Sequence, residues 1–172
     1  MEKKNKNIFW SQNAVFGLLM GVTYILAACI FYKNGRSVSL NPEMDRMILF
    51  LTIPGLFIGV KKYQQQINQP LTYGHAFGAS VYIVATAAFT YSLFVYYLYH
   101  NNPGLLENYT VRMEEALHET LPSNSDWKQF IALAKQQMTA TTVAFQEIVN
   151  RTFSGTVFSL ILAFLLRTPR QS

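Results

Sequence analysis

The sequence is poor in charged residues and has a single cysteine. Asp, Glu, Lys and Arg make up 13% of its 172 residues, whereas soluble domains carry about 25%. Much of the surface must therefore face something other than water. Cys29 alone excludes an internal disulfide and a metal site built from several cysteines. The net charge of +5 does not indicate a nucleic-acid partner, because the basic residues gather at the ends of apolar runs and form no stripe.

Motifs that carry chemistry are also missing. The sequence has no nucleophile elbow, phosphate loop or zinc signature. No Asp, Glu, Lys, Arg or His lies in the central part of an apolar run. Ion pumps and proton-coupled transporters place such groups at membrane depth, despite a cost of about 2.5–3.5 kcal/mol each. We therefore expect a protein that is not an enzyme, with no catalytic residue, no cofactor and no metal.

What the sequence does contain is four uncharged stretches, at 13–32, 47–60, 76–99 and 152–166. A membrane-spanning helix needs about 20 residues, and the first and third stretches reach that length. The second can begin earlier, because Asn41 is a good N-cap and Pro42 suits the first helical position. The fourth can begin near Phe145, with Glu147 and Arg151 at the membrane edge, where long side chains snorkel into the headgroups.

We therefore predict an all-α membrane protein that forms a single domain over residues 1–172. Its four transmembrane helices are expected at about 13–32, 42–60, 76–99 and 145–166, with an extramembrane helical hairpin between the third and fourth. The alternative is that the two short apolar runs are buried core helices. That reading leaves two spanning helices and two apolar segments without a role.

The distribution of Lys and Arg predicts the orientation, because cytoplasmic loops are enriched in these residues. One side would hold a group of basic residues with Glu2 as the only acid. The other side would hold the first loop and the long third connection, whose acids offset its basic residues. Both termini are therefore expected in the cytoplasm and residues 101–150 outside. The basic residues of the first side are Lys3, Lys4, Lys6, Lys61, Lys62, Arg167 and Arg170.

The outer segment, about 104–150, has the pattern of two amphipathic helices separated by Pro122. No Gly or Pro occurs between Pro122 and Gly155, which predicts that the second outer helix continues into the fourth span. The alternative to a projecting hairpin is that these helices lie flat on the outer leaflet. The expected apolar stripes are Leu106, Tyr109, Met113 and Leu117 in the first helix, and Trp127, Ile131, Ala134 and Met138 in the second.

Small residues four positions apart occur in every predicted span. In lipid, close backbone approach drives helix association, so this spacing indicates tight packing within the bundle or, alternatively, a homodimer. Pro54 inside the second span removes a backbone donor and predicts a kink. The packing candidates are Gly17, Gly21, Gly55, Gly59, Gly74, Gly78, Gly155 and Ser159.

The remaining isolated polar residues and Cys29 have ordinary structural explanations. His75 stands in the first turn of the third span and is expected at the interface. Glu114 and His118 share a helix face, but two residues fall short of the three or four ligands of a metal site. Cys29 ends a tetrapeptide like that of a lipoprotein signal. The apolar run continues beyond it to a full spanning length, which favours an uncleaved helix.

The whole chain resembles the bacterial family called domain of unknown function 4199. The likeness lies in Gly17 and Gly21, in Lys61-Lys62-Tyr63, in Leu71-Thr72-Tyr73-Gly74-His75-Ala76-Phe77, and in Gly155 opening the last helix. The resemblance implies a multi-pass protein of the bacterial inner membrane and implies no activity. A role beside an envelope glycosyltransferase is a further possibility that these residues do not test.

Three function classes remain, and the third is an enzyme with an unrecognised site, for which only His75 and the outer pair Glu114 and His118 could be proposed. The first is a non-catalytic accessory subunit of a membrane complex, with the lipid bilayer and a second copy or another membrane protein, bound through residues 104–150, as partners. The second is a small carrier or pore for an apolar or lipid-linked substrate, suggested by Pro54-Gly55 and by tyrosines at depth. A cavity reaching Tyr24, Tyr82 or Tyr91 would favour the second class, and a solid core the first.

Overall fold

The computed structural model describes residues 2–67, 70–120 and 125–167, with the side chains of residues 7–67, 70–117 and 131–167. This part of the chain is helical and contains no strand. The helices are α1 (Glu2–Lys33), α2 (Pro42–Ile67), α3 (Tyr73–Asn101), α4 (Pro103–Thr120), α5 (Ser125–Gln136) and α6 (Ala140–Leu166).

Among the described residues, 3 helical segments are long and apolar enough to cross a membrane: Asn7–Lys33, Tyr73–Asn101 and Ala140–Leu166. The predicted all-α class is confirmed for the described residues, and these three helices support a membrane protein by their length and composition. α2 is not among the three. Charged residues close both ends of its apolar run, with Asp45 and Arg46 before it and Lys61 and Lys62 after it. A fourth span at α2 therefore stays a prediction.

α3 is the centre of the bundle and contacts α1, α2, α4 and α6. It is rich in small residues along its buried face, and its largest core side chain, Tyr91, is fully buried. α6 packs mainly against α3 and touches α2 over a shorter stretch. The outward faces are apolar, as for Phe50, Phe89 and Phe164, which expose 77%, 56% and 56% of their surface. Such faces suit a lipid environment.

Three of the small-residue candidates lie where helix backbones meet most closely. A Cβ atom built on each would fall under 3 Å from α3. The distances are 2.5 Å from Gly17 to Thr86 Cβ, 2.7 Å from Gly21 to Thr90 Cβ, and 2.4 Å from Gly155 to Val84 Cγ1. α1 and α6 thus approach α3 more closely than any side chain on these glycines would permit.

The other small-residue candidates differ in their surroundings. A Cβ atom built on Gly55 would lie 2.9 Å from a methionine sulfur, and one built on Gly59 would lie 2.8 Å from an isoleucine methyl, both at the flexible ends of side chains. Gly74 meets nothing within 4 Å, and Gly78 meets a ring carbon at 3.9 Å, an ordinary contact. Ser159 is fully buried and donates to the Gly155 carbonyl at 2.8 Å. α2 continues as one helix through Pro54.

Of two helix junctions predicted from the sequence, one is confirmed and one is wrong. Asn41 does cap α2, because its Oδ1 accepts from the Glu43 amide at 3.0 Å. The predicted continuation of the second outer helix into the last span is wrong, since α5 ends at Gln136 and α6 begins at Ala140. The reason is Thr139, which adopts an extended conformation and accepts from the Thr142 amide at 3.2 Å, forming a new N-cap.

The outer helices are joined to the bundle through α4. Tyr109 is buried, packs edge-on against Tyr99 at 6.0 Å between ring centroids, and donates to Gln146 Oε1 at 2.7 Å. Lys135 of α5 pairs with Glu114 of α4. Of the predicted stripes, Ile131 is also buried, Leu106, Met113, Leu117, Ala134 and Met138 are half-buried, and Trp127 lies outside the described side chains. A projecting hairpin therefore stays a prediction.

Candidate ligand-binding cleft

A cavity of about 380 Å³ lies between α2 and α6, on the side where these helices make only a short contact. This volume falls within the range of about 300–1,000 Å³ typical of ligand pockets. We call it the α2–α6 cleft. Its polar lining is Tyr24, Asp45, Arg46, Thr52, Tyr109, Glu147, Asn150, Arg151 and Ser154, and the remainder is Leu40, Ile48, Leu49, Val84, Phe153, Gly155 and Phe158.

Arg151 is the central charged group of this cleft. Its Nη1 donates to Asp45 Oδ1 at 2.6 Å, which links α6 to α2. Its Nη2 lies 3.0 Å from Glu147 Oε2, one helical turn earlier on α6. The guanidinium carbon also lies 5.7 Å from the centroid of the Tyr91 ring, within reach of a cation–π interaction. The cation is thus held by one exposed acid, one buried acid and one aromatic face.

Glu147 is the buried acid, with only 6% of its surface exposed. Its Oε2 approaches Arg151 without the alignment of a hydrogen bond and has no hydrogen-bond partner among the described residues. Arg151 Nε is likewise buried without a partner there. A buried polar atom without a partner costs about 1–3 kcal/mol, and more when charged. This end of the cleft therefore has hydrogen-bonding capacity that the described residues leave unused.

The floor of the cleft is formed by a contact between α1 and α2. The hydroxyls of Tyr24 and Thr52 lie 2.5 Å apart, and Tyr24 also packs edge-on against Tyr91, with ring centroids 6.2 Å apart. In the neighbouring helix, Thr86 and Thr90 each donate to the carbonyl four residues earlier in α3, because that acceptor is within reach of a helical threonine.

The wall near α4 is formed by Leu40 and Tyr109. Leu40 adopts a φ of 51°, a left-handed conformation that costs an L-residue about 1–2 kcal/mol. The loop that contains it also holds Ser39, whose buried hydroxyl has no hydrogen-bond partner among the described residues. Burial raises the pKa of the Tyr109 hydroxyl above its usual range, so this group stays a neutral hydrogen-bond donor. Strained backbone of this kind often accompanies binding sites.

The mouth of the cleft combines exposed polar and apolar groups. Arg46 and Asn150 line it and are exposed. Phe153, on the same helix as Asn150, lines it with 71% of its surface exposed. Phe50 stands one position beyond the lining residue Leu49 and is also exposed. A molecule entering between α2 and α6 therefore passes apolar side chains and reaches charged ones.

A second cavity, of about 580 Å³, lies between the α1–α2 loop and α4. Arg36, Arg112 and Glu115 line it with exposed side chains, and Arg36 pairs with Glu43. Burial of charge distinguishes the α2–α6 cleft from this larger cavity. Buried ionisable groups in a concave site are the usual indication of function, so the α2–α6 cleft is the candidate site.

The isolated residues singled out in the sequence lie elsewhere. His75 Nδ1 is 3.0 Å from the hydroxyl of Thr72, the N-cap of α3, which also accepts from the His75 amide. The histidine therefore belongs to a helix cap. Glu114 pairs with Lys135, and the side chain of His118 lies outside the described residues. No group of three or more His, Cys, Asp or Glu suited to a metal ion occurs in the described part of the chain.

Sequence reasoning missed the charged cluster of the cleft. It placed Glu147 and Arg151 at the membrane edge with their ends in the headgroups, whereas both side chains face the protein. The spacing of four between an acid and a base on one helix was the available signal. A third charge, Asp45, stands just before the apolar run of α2. Only the packing of α6 against α2 and α3 brings the three together.

Comparison with known proteins adds a family and no function. No curated protein and no solved structure matches this chain. The family model described as a protein of unknown function (DUF4199) matches residues 15–168. That range includes all the residues that line the cleft. The chain therefore belongs to the DUF4199 family of proteins of unknown function.

Proposed function

We propose that this protein binds one amphiphilic molecule, a lipid or a lipid-linked compound, in the α2–α6 cleft. The observation that carries the proposal is the buried Glu147–Arg151 pair at one end of a cavity that also has an apolar wall, which includes Phe153 and Phe158. Water-soluble ligands gain little from walls such as Phe153 and Phe158. Hydrocarbons gain little from two charged groups. A molecule with both parts uses the whole lining.

The position of the cleft along the helices supports the same ligand class. Glu147 and Arg151 precede the apolar part of α6, which runs from 152 to 166. The apolar lining continues along that part, from Phe153 to Phe158. If α6 crosses a bilayer, the charged end lies near the headgroups and the apolar end among the acyl chains. This is the polarity profile of a lipid.

We further propose the topology in which this binding takes place. α2 is a fourth span, so the protein is a multi-pass protein of a bacterial inner membrane, with both termini in the cytoplasm and residues 101–150 outside. The Lys and Arg distribution supports this orientation. The outward face of α2, where Ile53, Phe57 and Ile58 are exposed, supports a fourth span, because such a face suits lipid. Reporter fusions at Ser123 and Ser172 test it. A cytoplasmic signal at Ser123 together with a periplasmic one at Ser172 refutes it.

Lipid binding is tested by native mass spectrometry after extraction into a mild detergent. The expected result is one phospholipid-sized adduct per chain. Ser154→Trp, at an exposed position lining the cleft, should fill the cavity and remove the adduct. Val157→Trp is the matched control, because Val157 is exposed on α6 and does not line the cleft. Its adduct should persist.

Two outcomes would contradict lipid binding in the cleft. Absence of any stoichiometric adduct in the wild-type protein would exclude a stable ligand. Equal adducts in both tryptophan variants would place the lipid elsewhere on the apolar surface. Circular dichroism and gel filtration of both variants establish that they keep the fold and remain monodisperse.

The accessory-subunit role is the second candidate. Val111 and Leu133 expose 46% and 58% of their surface, although both stand in helices outside the three candidate spans. Apolar groups of this kind fit a protein partner above the membrane. In-membrane crosslinking from Val111 or Leu133, with Glu107 as the polar control position, tests it. A partner captured equally from all three positions would argue against a specific interface.

A further inference from the structure

We infer that the ligand of the α2–α6 cleft carries a primary ammonium group beside a phosphate, as the ethanolamine phospholipids do. This inference rests on the proposed function and narrows it to a headgroup. It depends on three features of the charged end: the balance of charge, the two buried atoms without partners, and the placement of Arg46 and Asn150 at the mouth.

The formal charges at the polar end balance. Asp45 and Glu147 are the acids, and Arg46 and Arg151 are the bases. An anionic headgroup would bring a surplus negative charge next to a buried carboxylate, and a purely cationic one would face Arg151. A zwitterionic headgroup keeps the balance and places each of its charges beside an opposite one. Such charge complementarity governs which partners a site rejects.

The two orphaned atoms define which hydrogen bonds the ligand supplies. Among the residues that the structure describes, Glu147 Oε2 is ion-paired with Arg151 but accepts no aligned hydrogen bond, and Arg151 Nε donates none. A primary ammonium donates up to three hydrogen bonds, one of which Glu147 can accept. A phosphate oxygen can accept from Arg151 Nε. The headgroup of an ethanolamine phospholipid has both groups, two carbons apart.

The mouth supplies further contacts for the phosphate. Arg46 and Asn150 line the cleft from α2 and α6 and are exposed. Both can donate to phosphate oxygens. Asp45, which is half-exposed and already bonded to Arg151, offers a second carboxylate to the ammonium. The acyl chains then leave along the apolar wall that contains Phe153.

The same geometry disfavours a choline headgroup. A quaternary ammonium has no N–H to donate, so Glu147 Oε2 would stay without a partner. Proteins that bind quaternary ammonium groups present aromatic faces to them. The best-buried aromatic face at this end belongs to Tyr91, and the guanidinium of Arg151 already lies over it. Ethanolamine and choline lipids of identical acyl chains therefore test the inference directly.

The experiment is competitive lipid binding to delipidated protein, followed by native mass spectrometry. The probes are phosphatidylethanolamine, phosphatidylcholine and phosphatidylglycerol with the same acyl chains. We expect the ethanolamine lipid to be retained about tenfold or more over the other two, the scale of one lost charge-assisted hydrogen bond. Glu147→Gln should lower the retention of the ethanolamine lipid to about that of the choline lipid. Glu107→Gln, an exposed acid on α4 away from the cleft, should leave it unchanged.

The possible results separate the ammonium inference from lipid binding itself. Equal retention of the three lipids, or preference for the choline or glycerol lipid, overturns the ammonium inference and leaves lipid binding standing. Retention of none overturns the proposed function itself. If soluble phosphoethanolamine displaces the lipid at equal concentration, the ligand is the free headgroup and not a membrane lipid. If Glu147→Gln does not purify as a folded protein, Asp45→Asn at its half-exposed position replaces it, with a smaller expected loss of preference for the ethanolamine lipid. An unchanged preference in that variant counts against the inference.

Discussion

The contact between Gly155 and Val84 gives the most direct test of how α3 and α6 pack. A Cβ atom on residue 155 would lie 2.4 Å and 2.7 Å from the two γ carbons of Val84 and 3.1 Å from its Cβ. Valine in a helix has one strongly preferred rotamer, so it cannot swing aside. Gly155→Ala therefore has to move α6 away from α3.

The size of the effect follows from two opposing contributions. Overpacking a close contact costs about 1–3 kcal/mol. Alanine is better than glycine in a helix by about 1 kcal/mol. Because the contacts of 2.4 Å and 2.7 Å place this site in the upper part of the overpacking range, about 2–3 kcal/mol, we expect Gly155→Ala to lose about 1–2 kcal/mol of stability, read as a lower temperature of thermal aggregation in one fixed detergent. Gly74→Ala is the control, because nothing lies within 4 Å of that position. It should match or exceed the wild type.

A substitution at Val84 provides the test that could refute this packing. Val84→Ala removes both γ carbons, so adding it to Gly155→Ala should restore part of the lost stability. The two substitutions should show a coupling energy of about 0.5–3 kcal/mol, as contacting residues do. If Gly155→Ala melts with the wild type, and Val84→Ala is equally costly with and without it, the α3–α6 packing described above is incorrect.

Further predictions concern hydrogen bonds, charge and a second glycine. Tyr109→Phe removes the hydrogen bond to Gln146 and should lower stability by about 1 kcal/mol in the same assay. Unchanged stability would mean that this hydrogen bond does not hold α4 against α6. Arg151→Met leaves Glu147 buried without its cation and should be strongly destabilising, by about 3–5 kcal/mol, whereas Glu147→Leu with Arg151→Met should recover most of that loss. A double variant no better than the single one would contradict a paired cluster. Gly55→Ala meets only a flexible thioether and should change stability by less than about 1 kcal/mol, and a loss like that of Gly155→Ala would refute the distinction between the two sites.

The elements of the fold could be predicted from the sequence because each has a local physical signal. Apolar runs locate α1, α3 and α6, and Asn41 marks the start of α2. The break before α6 is different. It depends on Thr139, a residue that is common within helices and whose capping role appears only in its extended conformation. Without a glycine or proline, the pattern gave no reason to end the helix there.

The candidate site could not be predicted in the same way, because it is assembled from three helices. Glu147 and Arg151 read as boundary residues when α6 is considered alone. Asp45 reads as a favourable acid in the first turn of α2. Their common function depends on how far α6 overlaps α2 and on which faces meet. Tyr24 was singled out as a polar group at depth, and it does form the floor of the cleft, whereas Tyr91 lies beneath it as a fully buried core residue.

The charged cluster is informative because packing alone does not require it. A buried ion pair is often no more stable than well-packed apolar residues of the same volume, since desolvation offsets the attraction. Here the cluster also leaves Glu147 Oε2 and Arg151 Nε without hydrogen-bond partners in the described part of the chain, and it adjoins a strained residue at Leu40. The charged residues of the cluster on α6 also lie in the first half of that helix. Arg151 stands 15 residues before the end of α6, about 22 Å along the axis at helical rise. If α6 crosses a bilayer, whose hydrocarbon core is about 30 Å thick, the charged residues lie toward one face of the bilayer and the apolar lining toward its interior. Under the proposed function, a ligand with the same profile, such as a membrane lipid, fits this cleft better than a soluble metabolite.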